Sequence, residues 1–307
     1  MNLPTGTAHP LSDNRLQHYL PALAAGTAGT LGGAMVVATR YVVTEVDPTS
    51  LSVLRYGLAT GCLIPAAWLF ASGRIPWRDV GPIGFLGLLY FTFYPIVFAA
   101  SLQFTTAARG ALILSTTPMA TLLIGMLLRR EPVTLYKAAG VSLTVAGVAM
   151  ALGESLLDTG ENSLLGDAIM GIGVFLGAGY NVIGKPYFQR NSQLRVTALA
   201  MFLGWLVLAL GATGSGIMPL SWPDLSGSAW LTIVFLGTIA GAFPIYIYSW
   251  ALGHASPTQV AVGIGMNPII AILLGSLLLA EIPAWPTLTG LVAVLCGITL
   301  ANRRQPA

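Results

Sequence analysis

The residues equipped for recognition chemistry in this chain sit inside long apolar runs. Tyr90 and Tyr94 are four apart, with Phe91, Pro95 and Phe98 on an adjacent stripe, and Tyr246 and Trp250 repeat the spacing with Tyr248 on another face. Residues four apart share one face of a helix. Tyr180 and Asn181 lie together in a third run, and Gln259 and Asn267 in a fourth, Asn267 directly before Pro268. Buried phenols and amides must find partners, and polar groups within apolar helices face a bundle interior or a cavity. A cavity lined by Tyr, Trp and amides suits a small, partly apolar solute with hydrogen-bonding groups, such as an amino acid or another metabolite. The competing reading is aromatic anchoring at an interface plus satisfied helix–helix bonds.

Charge adds a second set. Arg40, Arg55 and Arg109 lie within or at the end of apolar runs. They can form a gate with Glu45, Asp47 or Glu281, meet a substrate carboxylate, or snorkel to headgroups. No Asp or Glu sits at the centre of an apolar run, so the usual buried proton relay is missing. No convergent His, Asp and Glu set offers acid, base or metal ligands, and no nucleotide motif is present. The expectation is a protein that is not an enzyme and carries no cofactor and no metal. His254 reads as an interfacial residue. Cys62 and Cys296 lie inside apolar runs and cannot form a disulfide framework.

The elements that position these groups follow from composition. Of 307 residues 55% are hydrophobic and 8% charged, whereas a soluble domain carries about 25% charged residues. No basic patch marks a nucleic-acid partner; the expected partners are the lipid bilayer and a small molecule. A helix crossing the hydrocarbon core needs about 20 residues. Ten windows meet that length: 19–40, 49–71, 80–100, 105–128, 133–152, 164–184, 194–212, 229–252, 257–280 and 286–301. The predicted fold is all-α, a polytopic membrane protein of ten transmembrane helices. Its expected parts are a tail over 1–18, five spans over 19–152, a linker over 153–163, five spans over 164–301 and a tail over 302–307.

An internal offset of 150 residues relates the two sets of spans: Pro118 falls on Pro268, Gly125 on Gly275, Glu131 on Glu281, Gly140 on Gly290 and Gly147 on Gly297. Glycines coincide easily, but Pro and Glu are scarce here, so the chain reads as a duplication. Basic residues favour the cytoplasmic side. With both termini inside, Arg15, Arg74, Arg78, Arg129, Arg130, Lys137, Lys185, Arg190, Arg195, Arg303 and Arg304 fall inside and only Arg40 sits plainly at an outer end, while Glu45, Asp47, Glu154, Asp158, Glu161, Asp167, Asp224 and Glu281 fall outside. Five spans per half is odd, so the second half enters from the opposite face and the two five-helix repeats are inverted. Inverted repeats are an architecture of alternating-access carriers. Pro118 and Pro268, one per half, read as bends or hinges that widen a central path, since each removes a backbone donor in hydrocarbon. With Arg55 and Glu281 they make up the candidate gating set.

The chain resembles the drug/metabolite transporter superfamily, in particular its EamA-type ten-helix exporters. The resemblance is carried by 107–110 (Ala-Ala-Arg-Gly) through Pro118, by Leu127-Leu128-Arg129-Arg130-Glu131-Pro132, and by Met266-Asn267-Pro268 through Glu281. Within that family it is similar to the YddG-like exporters of aromatic and other amino acids. The resemblance implies a monomeric carrier of the bacterial inner membrane, facilitative or weakly coupled, with a cavity lined from both halves. Carriage of purines, drugs or other metabolites, or a receptor or structural role without flux, stays open at this point. The topology has a direct check. A cysteine at Arg129 is expected to react only with reagent on the cytoplasmic side, and one at Ile282 only from outside. Reaction of both from one side would remove the inversion.

Overall fold

The computed structural model describes residues 13–130, 134–157, 161–216 and 225–301. All regular structure among them is helical. The first two helices are α1 (Asp13–Val42) and α2 (Pro48–Phe70). The third crossing is α3 (Trp77–Gly87), a π-helical segment Leu88–Phe93 and α4 (Tyr94–Phe104), and the fourth is α5 (Ala107–Leu114) and α6 (Thr117–Leu127). Next come α7 (Leu135–Leu157), α8 (Glu161–Arg190) and α9 (Gln193–Gly214). The eighth crossing is α10 (Gly227–Gly237), a π-helical segment Thr238–Ala242 and α11 (Phe243–His254). The ninth is α12 (Pro257–Ala261), a 3₁₀ turn Val262–Gly265 and α13 (Met266–Leu278), and α14 (Trp285–Ala301) closes the chain. Eight of these crossings are long and apolar enough to span a membrane, and α14 contributes a shorter apolar stretch, Trp285–Gly297. The protein is an all-α, multi-pass membrane protein.

Helix ends depart from the expected bounds. α1 begins at Asp13, inside the expected tail over 1–18, and α7 and α8 leave only 158–160 between them, where a linker over 153–163 was expected. A polar helix end needs no hydrocarbon, so a helix can run on past its apolar window into the headgroup layer. Glu131, Asp158, Trp222, Asp224, Arg303 and Arg304 lie outside the described residues. Asp47, expected as a gate partner, caps α2 by accepting from the amides of Thr49 at 3.0 Å and Ser50 at 2.9 Å.

The irregularities repeat. Both π-helical segments sit just before a proline, Pro95 in α4 and Pro244 in α11, and both broken crossings resume at a proline, Pro118 in α6 and Pro268 in α13. The missing amides fit irregular turns at these points, although Pro65 in α2 and Pro186 in α8 lie within unbroken helix. α6 and α13 also end alike. Arg129 and Ala280 take left-handed backbone conformations at φ 54° and 53°. The next amides, Arg130 N and Glu281 N, fold back to the carbonyls of Gly125 at 2.7 Å and Gly275 at 3.2 Å.

α7 and α14 pack antiparallel through glycines. A Cβ on Gly147 would lie 2.7 Å from Gly290 O, and one on Gly297 would lie 2.6 Å from Gly140 O. With no water to exclude, association in lipid rests on such close backbone approach. Elsewhere the interior holds two large apolar clusters beside a small one of Val53, Leu208 and Ala212. One large cluster holds Val36, Leu51, Phe98, Leu102 and Ile233; the other holds Tyr56, Leu63, Ile83, Phe188 and Leu252; Tyr90 and Ile264 pack against both. Gly297→Ala is expected to cost about 1–3 kcal/mol, read as a lower unfolding midpoint of the detergent-purified protein. Gly26→Ala should leave the midpoint in place, since nothing lies within 4 Å of its added carbon.

Candidate functional site

A cavity of about 80 Å³ opens where the two clusters meet. It has room for several waters or part of a small solute. Its walls come from α1 (Gly29, Gly32, Met35), the π-helical segment and α4 (Tyr90, Tyr94), the two broken crossings (Leu114, Thr117, Ile264, Asn267), α8 (Gly177, Tyr180, Asn181) and α11 (Pro244, Tyr248, Ser249). Thr117 and Asn267 occupy the first turns of α6 and α13, so two half-helix N-termini with their partial positive charge border the cavity. Irregular backbone at membrane depth persists only where it is buried in protein or lines a cavity.

The aromatic wall is a ladder. Tyr180 stacks on Tyr90 at 4.3 Å between centroids, Tyr90 on Tyr94 at 4.8 Å, and Tyr94 on Phe98 at 5.8 Å. Offset stacking of this kind contributes about 0.5–1.5 kcal/mol per pair beyond the area it buries. Tyr180 Oη bonds Ser249 Oγ at 3.1 Å, and Asn181 donates to Thr121 Oγ1 at 3.3 Å. Asn267 is only 5% exposed and packs on Gly32, where an added Cβ would lie 2.7 Å from Asn267 Oδ1. Asn267 Oδ1 and the Tyr248 hydroxyl are buried without a hydrogen bond. Arg55 stands behind Met35. It is 3% exposed, donates from Nη2 to Met35 Sδ and holds its guanidinium carbon 4.9 Å from the Tyr56 ring centroid. Its Nε has no partner. A cation at this depth costs about 3 kcal/mol or more, and a thioether is a weak acceptor to set against that.

Ion pairs sit near both ends of α8. At one end Arg109 pairs with Asp167, which also accepts from Thr105 Oγ1 at 2.8 Å. Beside it Glu281 takes Arg40 Nε at 3.4 Å and the Ala107 amide at 3.0 Å, while Arg40 Nη1 donates to Leu102 O at 2.7 Å. These bonds join α1, α4, α5, α8 and the segment after α13. At the far end of α8 Arg190 grips Asp79 with two bonds of 2.6 and 2.9 Å, and Asn191 adds a third at 3.0 Å. Arg195 there donates to Ala71 O at 2.7 Å. The ends of α8 that carry Asp167 and Arg190 are about 35 Å apart at 1.5 Å per residue.

Of the expected binding residues, Tyr90, Tyr94, Tyr180, Asn181 and Asn267 converge on the cavity. Tyr246, Trp250, Gln259 and Arg109 do not. Tyr246 lines a separate groove of about 500 Å³ with Cys62, Leu63 and Phe243. Trp250 stacks on His254 at 4.2 Å. Gln259 is spent on a capping box: its side-chain Oε1 accepts from Ser256 N at 3.2 Å and its backbone N–H donates to Ser256 Oγ at 3.2 Å. Arg109 faces Asp167. The residue missed in the eighth crossing is Tyr248. The 150-residue offset carries Tyr90, Tyr94 and Phe98 onto Ala240, Pro244 and Tyr248, all on the cavity wall. The same offset carries Leu114 and Thr117 onto Ile264 and Asn267, and Arg40 onto Arg190. Among the described residues no group of three His, Cys, Asp or Glu side chains converges as a metal site would need.

The sequence pattern of the EamA-like transporter family matches twice, over residues 20–153 and 164–303. The chain belongs to that family and is a transporter of small molecules rather than an enzyme. Among similar proteins is an uncharacterized transporter of Archaeoglobus fulgidus, 24% identical across 90% of this chain and 96% of its own length. The uncharacterized transporter YdeK of Bacillus subtilis is 28% identical across 87% of this chain and 91% of its own. A protein of Streptantibioticus cattleyicolor described as a probable terminal-alkyne amino-acid exporter is 23% identical across 83% of this chain and 84% of its own. A crystal structure 21% identical to the chain shares the fold, with a TM-score of 0.69 over 92% of this chain and 96% of that one.

The Arg109–Asp167 pair is nearly buried, at 12% and 4% side-chain exposure. Asp167→Asn alone is expected to destabilise by about 3–5 kcal/mol because it removes the charge that faces a nearly buried guanidinium. Adding Arg109→Gln should recover much of that. Strict additivity of the two in a thermal-unfolding cycle would count against a coupled pair.

Proposed function

We propose that this carrier exports amino acids, aromatic ones among them, and related small metabolites across a bacterial inner membrane by alternating access, without strong ion coupling. One observation carries the reading. One cavity beside two broken crossings combines an aromatic ladder with amide and hydroxyl groups, and ion pairs lie toward both ends of α8. Aromatic rings take an apolar side chain, while Asn181, Asn267, Tyr248 and Ser249 offer hydrogen bonds to amino and carboxylate groups.

Several features support two inverted five-helix repeats with both termini cytoplasmic. The glycine contacts of α7 with α14 pair Gly140 with Gly297 and Gly147 with Gly290, a set that maps onto itself when the halves are exchanged. The two π-helical segments, the two breaks and the two family matches recur in the same register. Loop charge supplies the direction. The Arg40–Glu281 and Arg109–Asp167 pairs then form the external gate, and Asp79–Arg190 the cytoplasmic one, so each must part while the other holds. Pro118 and Pro268 sit where a half-helix can tilt without losing a backbone bond. The protein works as a monomer in this scheme, because one chain supplies every wall of the cavity. The streptomycete relative described as an amino-acid exporter favours amino acids over other solutes.

Asn267→Ala is expected to lower counterflow of radiolabelled amino acids in proteoliposomes by about tenfold while leaving thermal unfolding unchanged, since it removes an unpaired group rather than a bond. Unchanged flux would take Asn267 out of the site.

A further inference from the structure

We infer that Arg55 is the carboxylate anchor of the substrate site, and that Asn267 Oδ1 takes the amino group of the same solute. The inference rests on the amino-acid reading above and adds the polarity of the bound substrate. Beside the cavity Arg55 Nε is a buried donor without an acceptor and Asn267 Oδ1 a buried acceptor without a donor, while the Tyr248 hydroxyl, also unpaired, can act as either. Arg55 and Asn267 lean on one face of α1. Asn267 packs against Gly32, and Arg55 against Met35. Gly32 and Met35 both line the cavity and are three residues apart on a helix, about 5–6 Å between side-chain origins. Two groups that lean on neighbouring positions of one helix face can reach a single small solute. No Asp or Glu lines the cavity and none pairs with Arg55 among the described residues, so the site carries an uncompensated positive charge. The N-termini of α6 and α13 add partial charge of the same sign.

Met35 is the stand-in. Its thioether occupies the guanidinium face and forms part of the wall. An unbranched, polarizable side chain can swing aside at little cost and expose the cation to an entering carboxylate. Arginine offers two parallel donors to such a group and stays charged at any physiological pH. With the carboxylate on Arg55 and the ammonium on Asn267, the remaining apolar group of the solute lies toward Tyr90 and Tyr94.

The test uses the purified full chain in proteoliposomes. Counterflow is measured with L-phenylalanine and L-leucine, with their amides, which lack the carboxylate, and with 3-phenylpropanoate, which lacks the amine. The wild type is expected to carry the amino acids at least tenfold faster than the amides. Arg55→Gln should abolish that preference, and Arg55→Lys should keep part of it. Asn267→Ala should narrow the gap between phenylalanine and 3-phenylpropanoate. Wild-type carriage of the amides as fast as the acids overturns the inference and leaves the transport reading standing, and that comparison needs no variant to fold. Equal loss of acids and amides in a folded Arg55→Gln also overturns it. If the wild type carries neither acids nor amides yet exchanges another solute, the amino-acid reading falls first and this one with it.

Discussion

Hydrocarbon offers no partner to a polar group, and that constraint governs the whole structure. A backbone amide or carbonyl left open at mid-membrane costs several kcal/mol, so the chain is helical throughout its crossings. It departs from α-helix where a proline has removed an amide, before Pro95, Pro118, Pro244 and Pro268. All four departures border or approach the same 80 Å³ cavity. The irregular backbone and the cavity therefore explain each other: broken turns need polar surroundings, and the cavity they border supplies them.

The same constraint fixes where charge sits. Arg40, Arg109 and Arg190 are each met by a carboxylate near a helix end, where headgroups lower the cost of ions. These pairs tie together helices that would have to separate for the cavity to open. Their worth lies less in net stability, since desolvation offsets much of the attraction, than in registering which helix ends are docked. Arg55 stands apart because it is buried at depth with a sulfur and an aromatic ring for company. No carboxylate among the described residues offsets its charge.

Two large apolar clusters meet at Tyr90 and Ile264, which pack against both. The aromatic ladder runs through Tyr90, so rings that line the cavity also help to hold the two clusters together.

Much of this was legible in the sequence. Apolar runs of spanning length fixed the helical class, because no other fold satisfies its backbone in lipid. The prolines marked the breaks, and the 150-residue offset tied the halves together. Tyr90, Tyr94, Tyr180, Asn181 and Asn267 were found because polar groups are rare in apolar helices. Side-chain direction was not legible where the helix was irregular. A π-helical turn shifts the register of everything after it, so Tyr246 and Trp250 turned out of the cavity and Tyr248 turned in. Pairing was not legible either: Arg109 and Asp167 lie 58 residues apart, and Asp79 and Arg190 lie 111 apart. Local periodicity sets which residues share a face, but only the packed bundle decides which faces meet, because in lipid that choice depends on the fit of glycine seams and not on apolarity, which every face shares.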